Sequence, residues 1–246
     1  MKHLLNYRDC FLGMVLFGST LLGAKGQDIG TPALDPVMLG QGMTMNAAVR
    51  AQGEYLAAGR RNAGARTTGK SNASAARLTY TSTPAGRQQI VRATAARLQA
   101  SNPGQAQALT AAFGPGKNDY GQLYAAAIKG SGLRNDDAAS AFAAYLEMGY
   151  AIANGLPDTR SITAGMERGL RTQATGLIGD RLRTPAAVAQ FGEEMKLQAV
   201  LLLLGWQSSQ KAGSTASYSR GVAERFRQSG LDLTLVRMSE QGLVRK

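Results

Sequence analysis

The chain predicts an all-α fold: a single helical domain of about seven helices with a short extended C-terminal segment, preceded by a flexible arm. Three observations carry that prediction. A capping residue is followed by proline at Thr83, Asn102 and Thr184. That pattern opens a helix, because the first helical position has no use for the N–H that proline lacks. Apolar residues then recur at spacings of three and four. Glycines at 114, 130, 155 and 230 punctuate the segments, and glycine is the residue that most readily ends a helix.

The elements follow in order. The first helix is expected over 84–99, with Ile90, Val91, Ala95 and Leu98 on one side. The second begins at Pro103 and carries Ala106, Leu109 and Phe113. The third covers roughly 119–128, with Leu123 and Tyr124 inward. The fourth is capped by Asn135, with Asp136 and Asp137 in its first turn facing the positive end of the helix dipole. Its apolar stripe is Phe142, Tyr145, Gly149 and Ile152. The fifth starts near Asp158 or Ser161 and holds Ile162, Met166 and Leu170. Gly165 and Gly169 on it have the spacing of a close helix crossing. The sixth runs over 185–210 and is apolar all round at 201–204, so it is expected at the centre. The seventh, 215–228, puts Tyr218, Val222 and Phe226 on one face. Residues 231–236 alternate apolar and polar at first, as a short extended segment laid across the bundle would.

Upstream, residues 1–26 read as a secretory signal. Lys2 and Arg8 make a basic start, and 11–24 is apolar or small throughout, shorter than the roughly 20 residues that span a bilayer. Residues 27–77 read as a flexible basic arm rich in Gly, Ala and Arg, in which Met43, Met45, Val49, Tyr55 and Leu56 supply at most one short docked helix. The helical domain is then 78–246. No membrane span is expected in the mature chain, since the apolar run at 199–206 is far too short.

Cleavage after Gly26 removes His3 and Cys10, the only histidine and the only cysteine. A mature chain without imidazole or thiol has no Ser-His-Asp triad, no cysteine nucleophile, no disulfide and no ordinary zinc site. Neither a cofactor nor a metal is expected. An enzyme would then have to work with carboxylates, hydroxyls, Lys, Arg or Tyr. Glu147 is the best lone acid candidate, as the acid of a cell-wall hydrolase. By helical angle it lies on the far side of the fourth helix from Phe142, facing solvent. Glu193 and Glu194 read as an ordinary polar helix side. Tyr80, Tyr120, Tyr124, Tyr145, Tyr150 and Trp206 sit mostly at core spacing rather than forming a stacking platform.

Charge points elsewhere. Loss of Lys2, Arg8, Lys25 and Asp9 takes the formal net charge from +12 to +10. Such a chain is drawn to polyanions. The candidate binding residues are Arg50, Arg60, Arg61, Arg66, Lys70 and Arg77 in the arm, with Arg87 and Arg92 exposed on the first helix. Candidate partners are an anionic envelope polymer, lipid head groups or an acidic protein; nucleic acid ranks last.

Three runs resemble one family. "LTYTSTPAGRQQIV" at 78–91, "SGLRNDDAASAFAAYLEMGYAIANG" at 131–155 and "GLDLTLVRMSEQGLV" at 230–244 are similar, in that order, to the signatures of the domain of unknown function 6683 group of exported bacterial proteins. The resemblance implies export and a helical fold, and no catalytic residue. The leading expectation is a periplasmic or secreted protein that binds rather than catalyses. The alternatives are the carboxylate-dependent hydrolase and a structural subunit of a surface assembly.

Overall fold

The computed structural model describes residues 43–58 and 78–246. Eight α-helices appear there: α1 (Met43–Ala58), α2 (Pro84–Ser101), α3 (Pro103–Phe113), α4 (Tyr120–Ala127), α5 (Ala138–Ala153), α6 (Ala164–Ile178), α7 (Pro185–Lys211) and α8 (Thr215–Gln228). A 3₁₀ turn (Leu233–Leu235) leads into two strands, β1 (Val236–Ser239) and β2 (Gly242–Arg245). The expected signal at 1–26 lies outside the described residues, as does most of the expected arm.

The cap-and-proline junctions act as their chemistry requires. The Thr83 hydroxyl accepts the Gly86 N–H, the Asn102 side chain that of Gln105, and the Thr184 hydroxyl that of Ala187, each at 3.1 Å. Each thereby satisfies an amide with no partner inside its helix.

The fourth predicted helix starts later than expected. Asp137, not Asn135, is the N-cap of α5, and its carboxylate accepts the Ser140 N–H at 2.7 Å. Tertiary pairing decides this. The lead-in at residues 78–80 pairs antiparallel with the cap: the Tyr80 N–H donates to the Asp136 carbonyl at 3.0 Å and the Ala138 N–H to Leu78 at 2.9 Å. Backbone held extended in this pairing cannot turn into a helix until Ala138. Asp136 is left exposed.

Helix α5 is central. Every residue from Ala138 to Ile152 is buried except Tyr150. Its alanines let α6, α7 and α8 approach closely, with Phe142 against Phe191 and Tyr145 against Phe226 at ring-centroid distances of 5.8 and 5.0 Å. Helix α7, expected at the centre, shares that place along its middle, where 191–202 are all buried; Leu203 and Leu204 beyond them are only half-buried.

The C-terminal segment is a hairpin rather than a lone strand. β1 pairs antiparallel with β2, Met238 opposite Leu243, across a turn that Gly242 permits at φ +95°. The Gly165 and Gly169 spacing serves this hairpin and not a helix crossing: a methyl on Gly169 would overlap the Glu240 carbonyl. Gln173 on α6 both donates to the Leu243 carbonyl and accepts its N–H, which covers the β2 edge. Helix α1 packs on α6, α7 and β2 through Met45, Val49 and Leu56. That stretch of the expected arm is therefore built into the domain.

Where α7 passes the lead-in, Gly192 lies against the Tyr80 ring, and a methyl there would overlap it. Gly192→Ala is expected to destabilise the protein by about 1–3 kcal/mol, the ordinary cost of overpacking. The denaturant midpoint should drop, and Tyr80→Ala in the same chain should recover part of the loss.

Candidate functional site

Charged and phenolic side chains gather inside the bundle, where α4, α5, α6, α7 and the lead-in meet. Lys196 on α7 is 0 % exposed. A bare ammonium at such a position is prohibitively costly, so it must be compensated. Glu193, one turn earlier, accepts from Lys196 Nζ at 3.1 Å. The rings of Tyr80 and Tyr124 present their faces to the same Nζ, at 5.0 and 5.5 Å from their centroids. The Tyr120 hydroxyl donates to the other Glu193 oxygen at 2.9 Å. Burial lowers the Lys196 pKa, and Glu193 opposes that shift. The Tyr80 and Tyr120 hydroxyls are pushed up, first by burial and then by the Glu193 charge, so both stay protonated donors.

A second pair ties the α5 cap to α6. Arg171 grips both Asp137 oxygens, Nε at 3.0 Å and Nη2 at 2.8 Å, the two-point geometry that suits guanidinium to carboxylate. Close by, Glu167 on α6 accepts the Gly132 N–H at 2.6 Å. Glu147 on α5 is 2 % exposed, and its Oε1 has no hydrogen-bond partner. Burial, and after it the Glu167 charge, raises the Glu147 pKa well above the usual carboxylate value. The Tyr124 hydroxyl is likewise buried without a partner, in the field of Asp137, Glu147 and Glu193.

The third pair lies nearer the surface. Arg87 donates to both Asp119 oxygens at 2.7 and 2.6 Å, and to Ser82 at 2.8 Å. Burial alone would raise the Asp119 carboxyl. The Arg87 hydrogen bonds and the Gly121 amide outweigh it and hold the pKa below its usual value.

Several of the sequence expectations need correction against this geometry. Glu147 does not face solvent: α5 is covered on the side away from Phe142 as well, because α6 lies there with Glu167. Arg87 is not an exposed binding residue; it is largely buried and committed to Asp119. Glu193 and Glu194 are both buried, Glu194 within 3.4 Å of Arg97 Nη1. Arg50 and Arg92 are exposed as expected. Arg60, Arg61, Arg66, Lys70 and Arg77 lie outside the described residues. Tyr120, Tyr124 and Tyr145 are core residues, as their spacing implied.

Lys196, Glu167 and Arg171 were missed as members of one cluster. For Lys196 there was a signal: it sits among Phe191, Met195, Leu197 and Val200, where a lone cation has to be paired within the fold. Glu167 and Arg171 look like any surface helix pair, and only the packing of α6 on α5 turns them inward.

No protein-family model matches the chain, and no curated protein or solved structure does either. The resemblance to an exported family therefore rests on its three sequence runs.

The buried charges do not line an open cleft. A groove of about 570 Å3 runs between α2 and α3, bounded by Ala95, Ala106, Thr110, Ala111, Gly114 and Lys117, with no carboxylate in its walls. Among the described residues no group of three or more His, Cys, Asp or Glu side chains is placed to hold a metal ion. Lys196 with Glu193, Arg171 with Asp137 and Arg87 with Asp119 neutralise one another in pairs.

Lys196→Met leaves the Glu193 carboxylate buried and unpaired. It is expected to cost about 3–5 kcal/mol, whereas Lys196→Met combined with Glu193→Gln should recover most of that loss. A double-mutant cycle by chemical denaturation measures the difference.

Proposed function

We propose that this chain is an exported, non-enzymatic helical protein that binds an anionic partner of the cell envelope through its basic exterior. The observation that carries the reading is how the fold divides its charge. Asp137, Glu147, Glu167, Glu193 and Glu194 are buried, while Lys196 and Arg225 are the only buried basic residues among those described. Among the described residues more acidic than basic side chains are buried, and the formal net charge of the whole chain is +12. Arg50, Arg92, Lys117, Lys129, Arg134 and Arg183 are exposed and, among the described residues, form no ion pair. Long-range attraction to a polyanion follows from such a surface.

The hydrolase reading loses support for a steric reason. At 2 % and 4 % exposure, Glu147 and Glu167 are out of reach of a polymeric substrate. Export rests on the basic and apolar character of residues 1–26 together with the family resemblance.

Vesicles of anionic lipid and of zwitterionic lipid, offered side by side to the chain lacking residues 1–26, test the reading. Binding to the anionic vesicles is expected to be the stronger and to weaken steeply with salt. Arg50→Glu with Arg92→Glu should weaken it about tenfold or more, at about 1 kcal/mol per cation near an anionic surface. Equal binding to both vesicle types, or no salt dependence, rejects the proposal for lipid head groups. The same salt series against a soluble anionic envelope polysaccharide decides the polymer case.

A further inference from the structure

The hairpin of α2 and α3 has one side left uncovered among the described residues. Asn102 alone joins the two helices, as the C-cap of α2 and the N-cap of α3. Gln88 Nε2 donates to the Phe113 carbonyl at 3.0 Å, so the start of α2 lies beside the end of α3 and the pair is antiparallel. Helix α2 packs in turn on α7, whereas α3 packs mainly on α2. The groove of about 570 Å3 lies between them. Ala106 and Gly114 in its lining are buried, and Ala96 and Ala111, one on each helix, are exposed.

Small side chains are what bring helices together in this protein. The alanines of α5 let α6, α7 and α8 lie against it. Ala95 and Ala96 on α2, with Ala106 and Ala111 on α3, give the groove the same low relief, and among the described residues no third helix lies in it. A helix laid there would bury an apolar stripe against both walls at once.

Charge sets the kind of helix. No Asp or Glu occurs between Glu54 and Asp119, so neither α2 nor α3 carries an acid. Helix α2 has arginines at 87, 92 and 97. Each step of five residues turns about 140° around the helix, so the three point in different directions. Arg87 meets Asp119, the cap of α4, and Arg97 meets Glu194 of α7. Where another element packs on α2, an arginine of α2 finds a carboxylate there. Arg92 is exposed and forms no ion pair among the described residues. It stands three and four residues before Ala95 and Ala96, on the face of α2 that lines the groove. Lys117, in the groove wall just past α3, is the second exposed cation without an ion pair. The antiparallel sense of the hairpin puts both at the same end of the groove.

We propose that the groove between α2 and α3 docks an acidic amphipathic helix of a partner protein. Its apolar stripe, of small or medium side chains, lies on the alanines. A carboxylate-bearing turn lies over Arg92 and Lys117. An acidic first turn serves best, because negative charge there also stabilises the helix that carries it. Gln99 and Gln107, exposed at the other end, meet its polar flank. This assignment rests on the anionic-partner reading and narrows the partner to a protein helix.

The probe is a synthetic helical peptide of Ala, Leu and Glu, with one apolar stripe and a glutamate-rich first turn. Two controls accompany it: the same composition in scrambled order, and the same pattern with Lys in place of Glu. Each is titrated into the intact chain and followed by amide NMR. The patterned acidic peptide is expected to shift residues of α2 and α3 around Ala96 and Ala111, and to bind about tenfold or more tightly than either control, since a reversed charge would face the cations. Ala96→Gln with Ala111→Gln fills the groove at two exposed positions without changing charge. Arg92→Gln with Lys117→Gln keeps the shape and removes the cations. Each pair is expected to weaken the peptide about tenfold, the worth of one charge-assisted hydrogen bond. The groove-filling pair should leave salt-dependent binding to anionic vesicles unchanged, which separates failure of this assignment from failure of the anionic-partner reading. No binding of the patterned peptide, equal affinity for all three peptides, shifts confined to other helices, or indifference to both pairs of substitutions overturns the assignment. Two other occupants overturn it as well. Groove residues that respond to anionic vesicles and not to the peptide give the groove to lipid, and a dimer of the chain that dissociates on groove filling gives it to a second copy.

Discussion

A charge taken into an apolar interior must find its counter-charge there, and the arrangement of helices in this protein is organised around that constraint. Lys196 is the clearest case. It sits on α7 with no exposed surface; its counter-charge, Glu193, lies one turn earlier on the same helix, while Tyr120 and Tyr124 come from α4 and Tyr80 from the lead-in. Shifting α4 or the lead-in by a turn would take the Tyr120 hydrogen bond from Glu193 and the aromatic faces from Lys196. These contacts, rather than the ion pair within α7, hold α4 and the lead-in in register with α7.

The same logic explains the "LTYTSTP" lead-in. Leu78 is fully buried, Thr79 bridges to Asp137, and Tyr80 lies over Lys196 in the space that Gly192 leaves open. Thr83 and Pro84 then begin α2. One short extended stretch thus connects the buried lysine, the cap of α5 and helix α2. Asp137 does two jobs at that junction. It caps α5 and anchors Arg171 of α6, so helix α5 cannot start elsewhere without losing a buried ion pair.

Burying carboxylates also shapes the outside of the molecule. Five acidic groups are drawn inward, and two basic residues, Lys196 and Arg225, are buried with them among the described residues. Glu147, whose pKa burial raises, lies in the core, and the groove between α2 and α3 has no carboxylate among its lining residues.

By itself the sequence determined the all-α class, the three proline-led helix starts and most of the apolar stripes, because capping and 3.6-residue periodicity act within a few residues of one another. The same local rules placed Tyr120, Tyr124 and Tyr145 in the core. They misplaced the start of α5, since Asn135 is a good cap and nothing nearby reveals that residues 78–80 hold the backbone extended until Asp137. The hairpin partner of β1 and the role of Gly169 were hidden for the same reason, as both depend on where the C-terminus lies against α6. Tertiary structure alone decided the environment of Glu147. A helix angle gives the direction of a side chain and not what covers it, so the residue expected in water is buried where α6 packs on α5.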